Sequence, residues 1–225
     1  MVYTLNTCGP FFRSATLATL LTVSVAISPA YSEFRSLKIG SENMLPTLQV
    51  GDAVGVASYA PNEPIERGDL VAYEVRVKEL LQSAPTDVIF VGRIIGLPRE
   101  TIEMRHGNVV VDGKPFGTSP LLARADEDCP KDSSFGTCRF LREITPEGSS
   151  YVTLDLVDET RFDNTKPKTM GPDEYFIMGD NRDNSADARI YGPTARTRIV
   201  GKVRGIWASL SPNYQRRFDG YPDLK

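Results

Sequence analysis

From Leu37 onward the chain alternates short apolar runs with tight-turn residues, a pattern that few folds other than an antiparallel β structure accommodate. Glycine takes the second place in the turn pairs His106-Gly107 and Asp112-Gly113, where two-residue hairpins require a positive φ. No apolar period of 3.6 residues separates the runs, so no helices are predicted between them. The spacing therefore predicts a mostly β fold, an antiparallel sheet or barrel. The predicted strands in this part are Asp52–Val56, Leu70–Val75, Val88–Val91 with Arg93–Gly96, Thr101–Met104 and Asn108–Val111.

A loop-rich insertion at about 116–171 interrupts this pattern, and its clearest strand is Tyr151–Leu154. Strands resume at Tyr175–Met178 and at Ile199–Trp207. The chain of 225 residues contains 18 Gly and 16 Pro. This abundance of turn formers suits an all-β protein better than a helical bundle.

The overall charge argues against a nucleic-acid partner. The formal net charge is -3 and the sequence pI about 5.4, whereas nucleic-acid-binding proteins carry a clustered Lys/Arg face. His106 is the only histidine, so a four-ligand metal site lacks partners. We predict neither a metal site nor a cofactor.

The first forty residues differ from the rest because an uncharged run, Ser14–Ser32, follows Arg13. The run is just long enough for a transmembrane helix, which needs about 20 mostly apolar residues. A cleaved secretory signal is the second interpretation, with Ala30-Tyr31-Ser32 as its small-x-small site, and a buried core helix is the third. We favour the anchor, which divides the chain into a cytoplasmic segment 1–13, a transmembrane segment 14–32 and an extracytoplasmic domain 33–225.

Two cysteines support an oxidising compartment for the main domain. Cys129 and Cys138 bracket a short polar loop, which would close as a disulfide outside the cytoplasm. A metal pair is the alternative, and it lacks further ligands. Cys8 precedes the apolar run and would remain unpaired on the other side of the membrane.

Three stretches, taken together, resemble bacterial type I signal peptidases of the serine–lysine class. They are Ser41–Leu48, Gly92–Pro98 and Gly179–Arg189, and Arg67–Val71 adds the short motif that this family carries between the first two. The third stretch is the most specific, because it matches over eleven consecutive residues. Order, spacing and the preceding apolar segment fit the family, which implies its mostly antiparallel β fold with an N-terminal transmembrane anchor.

The resemblance also implies that the catalytic dyad is missing. In the family a serine nucleophile stands immediately before the Met of the first stretch, and here this position is Asn43. The lysine base precedes the Arg of the second stretch, and here this position is Gly92. Arg93 cannot replace the base because a guanidinium does not deprotonate in proteins. His106 belongs to a predicted hairpin turn.

Other parts of the family's site are present. Ser41 matches the oxyanion-hole hydroxyl, with the Asn43 backbone N–H as the second donor, and Ser185 matches the hydroxyl beside the lysine. Asp187 and Arg189 match an ion pair that braces the site. The residues that would line the pockets for alanine at the cleavage site, or would simply be core, are Ile39, Met44, Leu48, Phe90 and Val91.

The sequence therefore favours a pseudoenzyme that keeps a groove for signal-peptide-like or extended peptide segments and lacks proteolytic chemistry. Besides such peptide segments, a catalytically active signal peptidase is a candidate partner of this pseudoenzyme. The resemblance implies a single-pass protein of the bacterial inner membrane with its main domain on the periplasmic side. One alternative is an active or weakly active signal peptidase that uses Ser41 as a displaced nucleophile. The other is an export-associated scaffold whose groove is vestigial.

Overall fold

The fold consists mainly of antiparallel β-strands, as the sequence predicts. The computed structural model describes residues 34–77, 86–121, 138–157 and 159–210, all within one unit, Tyr31–Lys225. A short helix, α1 (Ala188–Tyr191), lies among them. The strands are β1 (Phe34–Lys38), β2 (Ala53–Ala57), β3 (Leu70–Val77), β4 (Thr86–Gly96), β5 (Thr101–Arg105), β6 (Asn108–Val111), β7 (Lys114–Pro115), β8 (Gly117–Pro120), β9 (Arg139–Ile144), β10 (Ser150–Asp155), β11 (Lys168–Thr169), β12 (Glu174–Met178), β13 (Thr194–Ala195) and β14 (Ile199–Ala208).

The largest sheet has seven strands in the order β1-β2-β14-β3-β4-β12-β13, and its strand pairs are antiparallel. Side chains alternate between the two faces of a strand, and in β2 the inward residues Val54 and Val56 are 0% and 1% exposed. They belong to one buried cluster with Ala72 of β3 and Val203 of β14. Burial of this face fixes the register, because a shift by one residue would turn the apolar set to solvent.

Two tight turns join β5 to β6 and β6 to β7. The φ angles are 49° and 75° at His106 and Gly107, and 48° and 78° at Asp112 and Gly113. Positive φ at both central residues is typical of the type I′ turn, so the prediction of two tight hairpins is confirmed. β11 pairs with the other edge of β5 and completes a four-stranded sheet.

The described part of the insertion supports the loops that carry the motifs. β8, β9 and β10 form a three-stranded sheet, and Phe140 and Leu154 of this sheet pack with Leu45 of the first motif stretch. Leu154 also donates its N–H to the Asp180 carbonyl and accepts from the Arg182 N–H, both at 2.8 Å. The insertion therefore contacts both the first and the third stretch.

The apolar run Ser14–Ser32 lies outside the described residues, and so do Cys8 and Cys129. Within the described ranges, no helix is both long and apolar enough to cross a membrane. Cys138 immediately precedes β9, and its predicted disulfide partner is Cys129. The anchor and the disulfide therefore stay predictions.

Candidate functional site

A groove of about 620 Å³ lies between the chain around the end of β1 and the first half of β4. One wall is Leu37–Asn43 and the other is Val88–Val91, with Asn184 and Ala186 completing the lining. Residues of the first and third motif stretches therefore meet at this groove, beside the strand that leads into the second.

Two strand edges face the groove. β1 is the outermost strand of the large sheet and pairs with β2. β12 pairs with β4 only within Arg93–Gly96, so the first half of β4 is paired with β3 alone among the described strands. Ile94 directs its N–H and C=O toward the β3 side, and hydrogen-bonding directions alternate along a strand. The backbone groups of Ile89 and Val91 therefore point away from β3, into the groove.

Asn43 bridges the two walls of the groove. Ser41 Oγ donates to Asn43 Oδ1 at 2.7 Å, and Asn43 Nδ2 donates to the Val91 carbonyl at 2.8 Å. The Asn181 N–H donates to the Asn43 carbonyl at 3.0 Å, so the third motif stretch fixes the backbone as well. The half-buried carboxamide is thus held on both sides at the position where the family carries its nucleophile.

The neighbouring strands leave no room for a side chain at Gly92. An ideal Cβ there would lie 2.7 Å from Ile177 Cγ2, 3.1 Å from Tyr73 Cε1 and 3.2 Å from the Met178 carbonyl oxygen. Burial and, to a lesser extent, the negative charge of Asp187 raise the pKa of the Tyr73 phenol well above its usual value. The phenol therefore stays protonated at neutral pH, and this neighbour supplies no base in place of the lysine.

The Asp187–Arg189 ion pair that the resemblance implies is formed and buried. Arg189 Nη2 lies 2.7 Å from Asp187 Oδ2, and both side chains are 1% exposed. Asp187 also accepts from the Gly179 N–H at 3.0 Å and caps α1 by accepting from the Arg189 N–H. The pair therefore fixes the backbone on both sides of Ser185, whose Oγ is buried and has no hydrogen-bond partner in the described part of the chain.

A second buried ion pair joins all three motif stretches, and sequence analysis did not anticipate it. Arg93 donates from Nε and Nη2 to the two oxygens of Asp180 at 2.8 and 2.7 Å. Thr47 Oγ1 donates to the same carboxylate at 2.5 Å, and the guanidinium lies 4.2 Å from the centroid of the Tyr151 ring. A two-point pair with added hydrogen bonds offsets the cost of removing both charges from water. Thr47, Arg93 and Asp180 belong to the first, second and third stretches, so this cluster holds the stretches together.

Three of the five predicted pocket residues reach the groove. Ile39, Phe90 and Val91 line it, whereas Met44 and Leu48 are 0% and 1% exposed. These two belong to the buried cluster that also contains Ile39 and Val91, so they form the core behind the wall. The lining residues that sequence analysis missed include Leu37, Lys38, Glu42, Val88, Ile89, Asn184 and Ala186.

The groove holds a hydroxyl and an amine, but they are not arranged as a nucleophile and its base. The hydroxyl of Ser41 donates to the Asn43 carboxamide. A neutral carboxamide is not a base, so it cannot take the proton of this hydroxyl. Lys38 lines the same groove but is exposed, whereas a lysine base needs burial to stay neutral. His106 is exposed at its hairpin turn and lines a different cavity.

An antiparallel β fold with a peptide-sized groove framed by these motifs defines a protein of the signal-peptidase type. A sequence model of the family described as signal peptidase, peptidase S26, matches residues 12–208. The match covers most of the chain, and the chain belongs to this family.

Individual relatives agree with this assignment. The chain is 28% identical over 188 residues to signal peptidase I V of Bacillus subtilis, which covers 83% of this chain and 94% of that protein. It is 28% identical over 167 residues to signal peptidase I of Leptolyngbya laminosa. This alignment covers 73% of this chain and 64% of that protein, so the chain spans less than two thirds of the relative's length. The crystal structure of a signal peptidase I from Enterococcus faecalis aligns with 62% of this chain and 97% of that chain, at 22% identity and a TM-score of 0.35.

Proposed function

We propose that this protein is a catalytically inactive member of the signal peptidase family that binds extended peptide segments in its groove. The observation that carries the proposal is the state of the two dyad positions. The Asn43 carboxamide is hydrogen-bonded on both sides, and Ile177 fills the space beside Gly92. Peptide hydrolysis of the serine–lysine type needs a hydroxyl at the first position and a neutral amine at the second. Neither group stands there.

The groove supports peptide binding because it offers what an added strand needs. Main-chain hydrogen bonds to a strand edge give affinity, and pockets for alternate side chains give specificity. Ile89 directs its backbone groups into the groove from β4, and the edge of β1 lies opposite. The relatives are named signal peptidases, so the ligands that we propose are segments that resemble the end of a signal peptide, apolar and with alanine at the cleavage site.

A labelled peptide with these features is expected to bind the purified protein, and Ile89→Asp is expected to weaken binding at least about tenfold, which is about 1.4 kcal/mol. Ile89 lines the groove and is 39% exposed. A carboxylate at this place would lose water against an apolar ligand, which is unfavourable. Fluorescence anisotropy measures both dissociation constants.

Ile144→Asp is the matched control, because Ile144 is also a strand residue, in β9, and is 41% exposed outside the groove. It should leave the dissociation constant unchanged. Equal loss of binding in the two variants would contradict the assignment of the groove. Failure of the unmodified, folded protein to bind any such peptide would favour the scaffold with a vestigial groove.

We also propose that residues 14–32 anchor the protein in a membrane and that the main domain lies on the periplasmic side. Phe34, two residues after this segment, forms an exposed aromatic pair with Trp207 of β14. The two residues are 51% and 62% exposed, and their rings meet edge to face with centroids 5.0 Å apart. The indole lies across Gly55 of β2, and β1, β2 and β14 contain no acidic residue. Exposed apolar patches mark interaction sites, and tryptophan is favoured at the membrane interface. This face therefore supports contact with the bilayer.

Trp207 offers a direct test because it is the only tryptophan in the chain. In vesicles that contain the full chain, lipids brominated on their acyl chains are expected to quench its fluorescence strongly, because bromine quenches on contact. The control is Trp207→Phe combined with Ile144→Trp, which moves the probe to an exposed position of the three-stranded sheet. Quenching should then be weak. Equal quenching at both positions, or none at Trp207, would contradict contact of this face with lipid.

A further inference from the structure

We propose that the Asn43 carboxamide acts as a fixed substitute for one peptide unit of a ligand, so that the groove ends at Asn43 and takes peptides whose chains end there. The proposal rests on the peptide-binding function above and specifies its ligand. The preferred ligand is a carboxyl-terminal peptide end, such as cleavage of a signal peptide leaves, rather than a chain that continues through the groove.

The amide of Asn43 makes the contacts of a peptide group on both of its sides. Its Nδ2 donates to the Val91 carbonyl at 2.8 Å, as the N–H of a neighbouring strand would. Its Oδ1 accepts from Ser41 Oγ at 2.7 Å, the hydroxyl that the family resemblance assigns to the oxyanion hole. A hydroxyl donates a single hydrogen. While this bond exists, Ser41 cannot also donate to a ligand carbonyl.

Away from Asn43 the groove stays open to an extended chain. On the β4 side, Ile89 directs its backbone groups into the groove. On the β1 side, Ile39 directs its N–H and C=O toward the residues that precede β2, so alternation along the strand turns the backbone groups of Lys38 toward the groove. A peptide can therefore pair with both edges until it reaches Asn43, where the side chain already occupies the next pairing position.

One donor for a terminal carboxylate remains at this closed end, since the backbone N–H of Asn43 bonds to no acceptor within the described ranges. The exposed Lys38 adds a positive charge to the lining of the same groove. Hydrogen bonds to an ionised carboxylate are about twice as strong as those between neutral groups. Glu42 also lines the groove, and Asn184 Nδ2 donates to its carboxylate at 3.3 Å, which reduces its repulsion of a second carboxylate. The closed end therefore favours a chain terminus over a continuing chain.

Two peptides that share one apolar, alanine-ended segment test the proposal. The short peptide stops with a free carboxylate after the last alanine, and the long peptide continues for several residues. We expect the unmodified protein to bind the short peptide about tenfold more tightly, the effect of one or two hydrogen bonds. Asn43→Ala frees the Val91 carbonyl and the Ser41 hydroxyl for the long peptide, so the ratio should fall toward one. Asn43→Asp should lower the ratio of the two affinities as well, because aspartate has nearly the same size as asparagine but cannot donate to the Val91 carbonyl.

Val88→Ala is the matched control, since Val88 lines the groove away from Asn43. It should weaken both peptides alike and keep their ratio. Equal affinity of the unmodified protein for the two peptides, or a ratio that both Asn43 variants leave unchanged, would overturn the proposal. Failure to bind either peptide would defeat the peptide-binding function itself, and thermal unfolding of each variant separates that outcome from loss of the fold.

Discussion

Incubation of the purified full-length protein with a preprotein is expected to leave the preprotein uncleaved. Removal of the nucleophile lowers kcat of a serine protease by about six orders of magnitude, and loss of the base adds little because the two act as a unit. In this chain both positions are changed, to Asn43 and Gly92. With the Ser41 hydroxyl bonded to Asn43, the remaining oxyanion donor and the groove would raise the rate at most about 10³–10⁴-fold over the reaction in water. That rate is too low to process exported proteins on a cellular timescale.

The measurement is a gel assay at high protein concentration over hours, with signal peptidase I V of Bacillus subtilis as the positive control. Cleavage at the signal-peptide junction that disappears in Ser41→Ala, with the thermal unfolding curve unchanged, would contradict the prediction and assign the nucleophile to Ser41. The geometry argues against that outcome. The Ser41 hydroxyl donates to a carboxamide oxygen, and the groove's amine, Lys38, is exposed.

The strands that the sequence predicts are those whose own residues carry the signal. Short apolar runs, each followed by a turn pair with Gly, marked β5 and β6, and both turns have the predicted positive φ. β7, β11 and β13 have two residues each, so they are defined by the strand they pair with rather than by a pattern of their own. β9, Arg139–Ile144, contains three charged and three apolar residues without strict alternation, within a segment otherwise rich in turns. Partner-dependent strands of this kind escape a single-sequence analysis.

The candidate site likewise contains contacts that the sequence predicts and contacts that depend on the fold. Asp187 and Arg189 stand two residues apart in a specific motif, so their pairing could be expected from the sequence, and the ion pair is present. Arg93 and Asp180 are separated by 87 positions, and only the pairing of β4 with β12 brings them together. The bridge from Asn43 to Val91 likewise joins the turn segment after β1 to β4, which lies 48 positions further along the chain. The sequence shows which residue stands at a motif position. It does not show which groups from distant parts of the chain pack around that residue.

Gly92→Ala is expected to lower the free energy of unfolding by about 1–3 kcal/mol, the usual effect of adding a methyl to a packed core. The new Cβ would lie 2.7 Å from Ile177 Cγ2, and Ile177 is 0% exposed and cannot turn away into solvent. For a domain of this size, each kcal/mol corresponds to about 2–4 °C in Tm. Thermal unfolding followed by circular dichroism measures the change. Gly205→Ala in β14 is the control, because a Cβ there meets nothing within 4 Å, and its Tm should stay the same or rise slightly.

The cause of this effect can be isolated by a double-mutant cycle with Ile177→Ala. That substitution alone removes a fully buried side chain and should cost about 2–5 kcal/mol. In its background Gly92→Ala should cost less than in the unmodified protein, because the methyl that it would meet is gone and the two residues are coupled. Additive costs would contradict the contact. If coupling is found, a lysine at position 92 needs space that Ile177 now occupies. Asn43→Ser with Gly92→Lys would then fail to rebuild the dyad because of packing, even though Ser185, Asp187 and Arg189 are still in place.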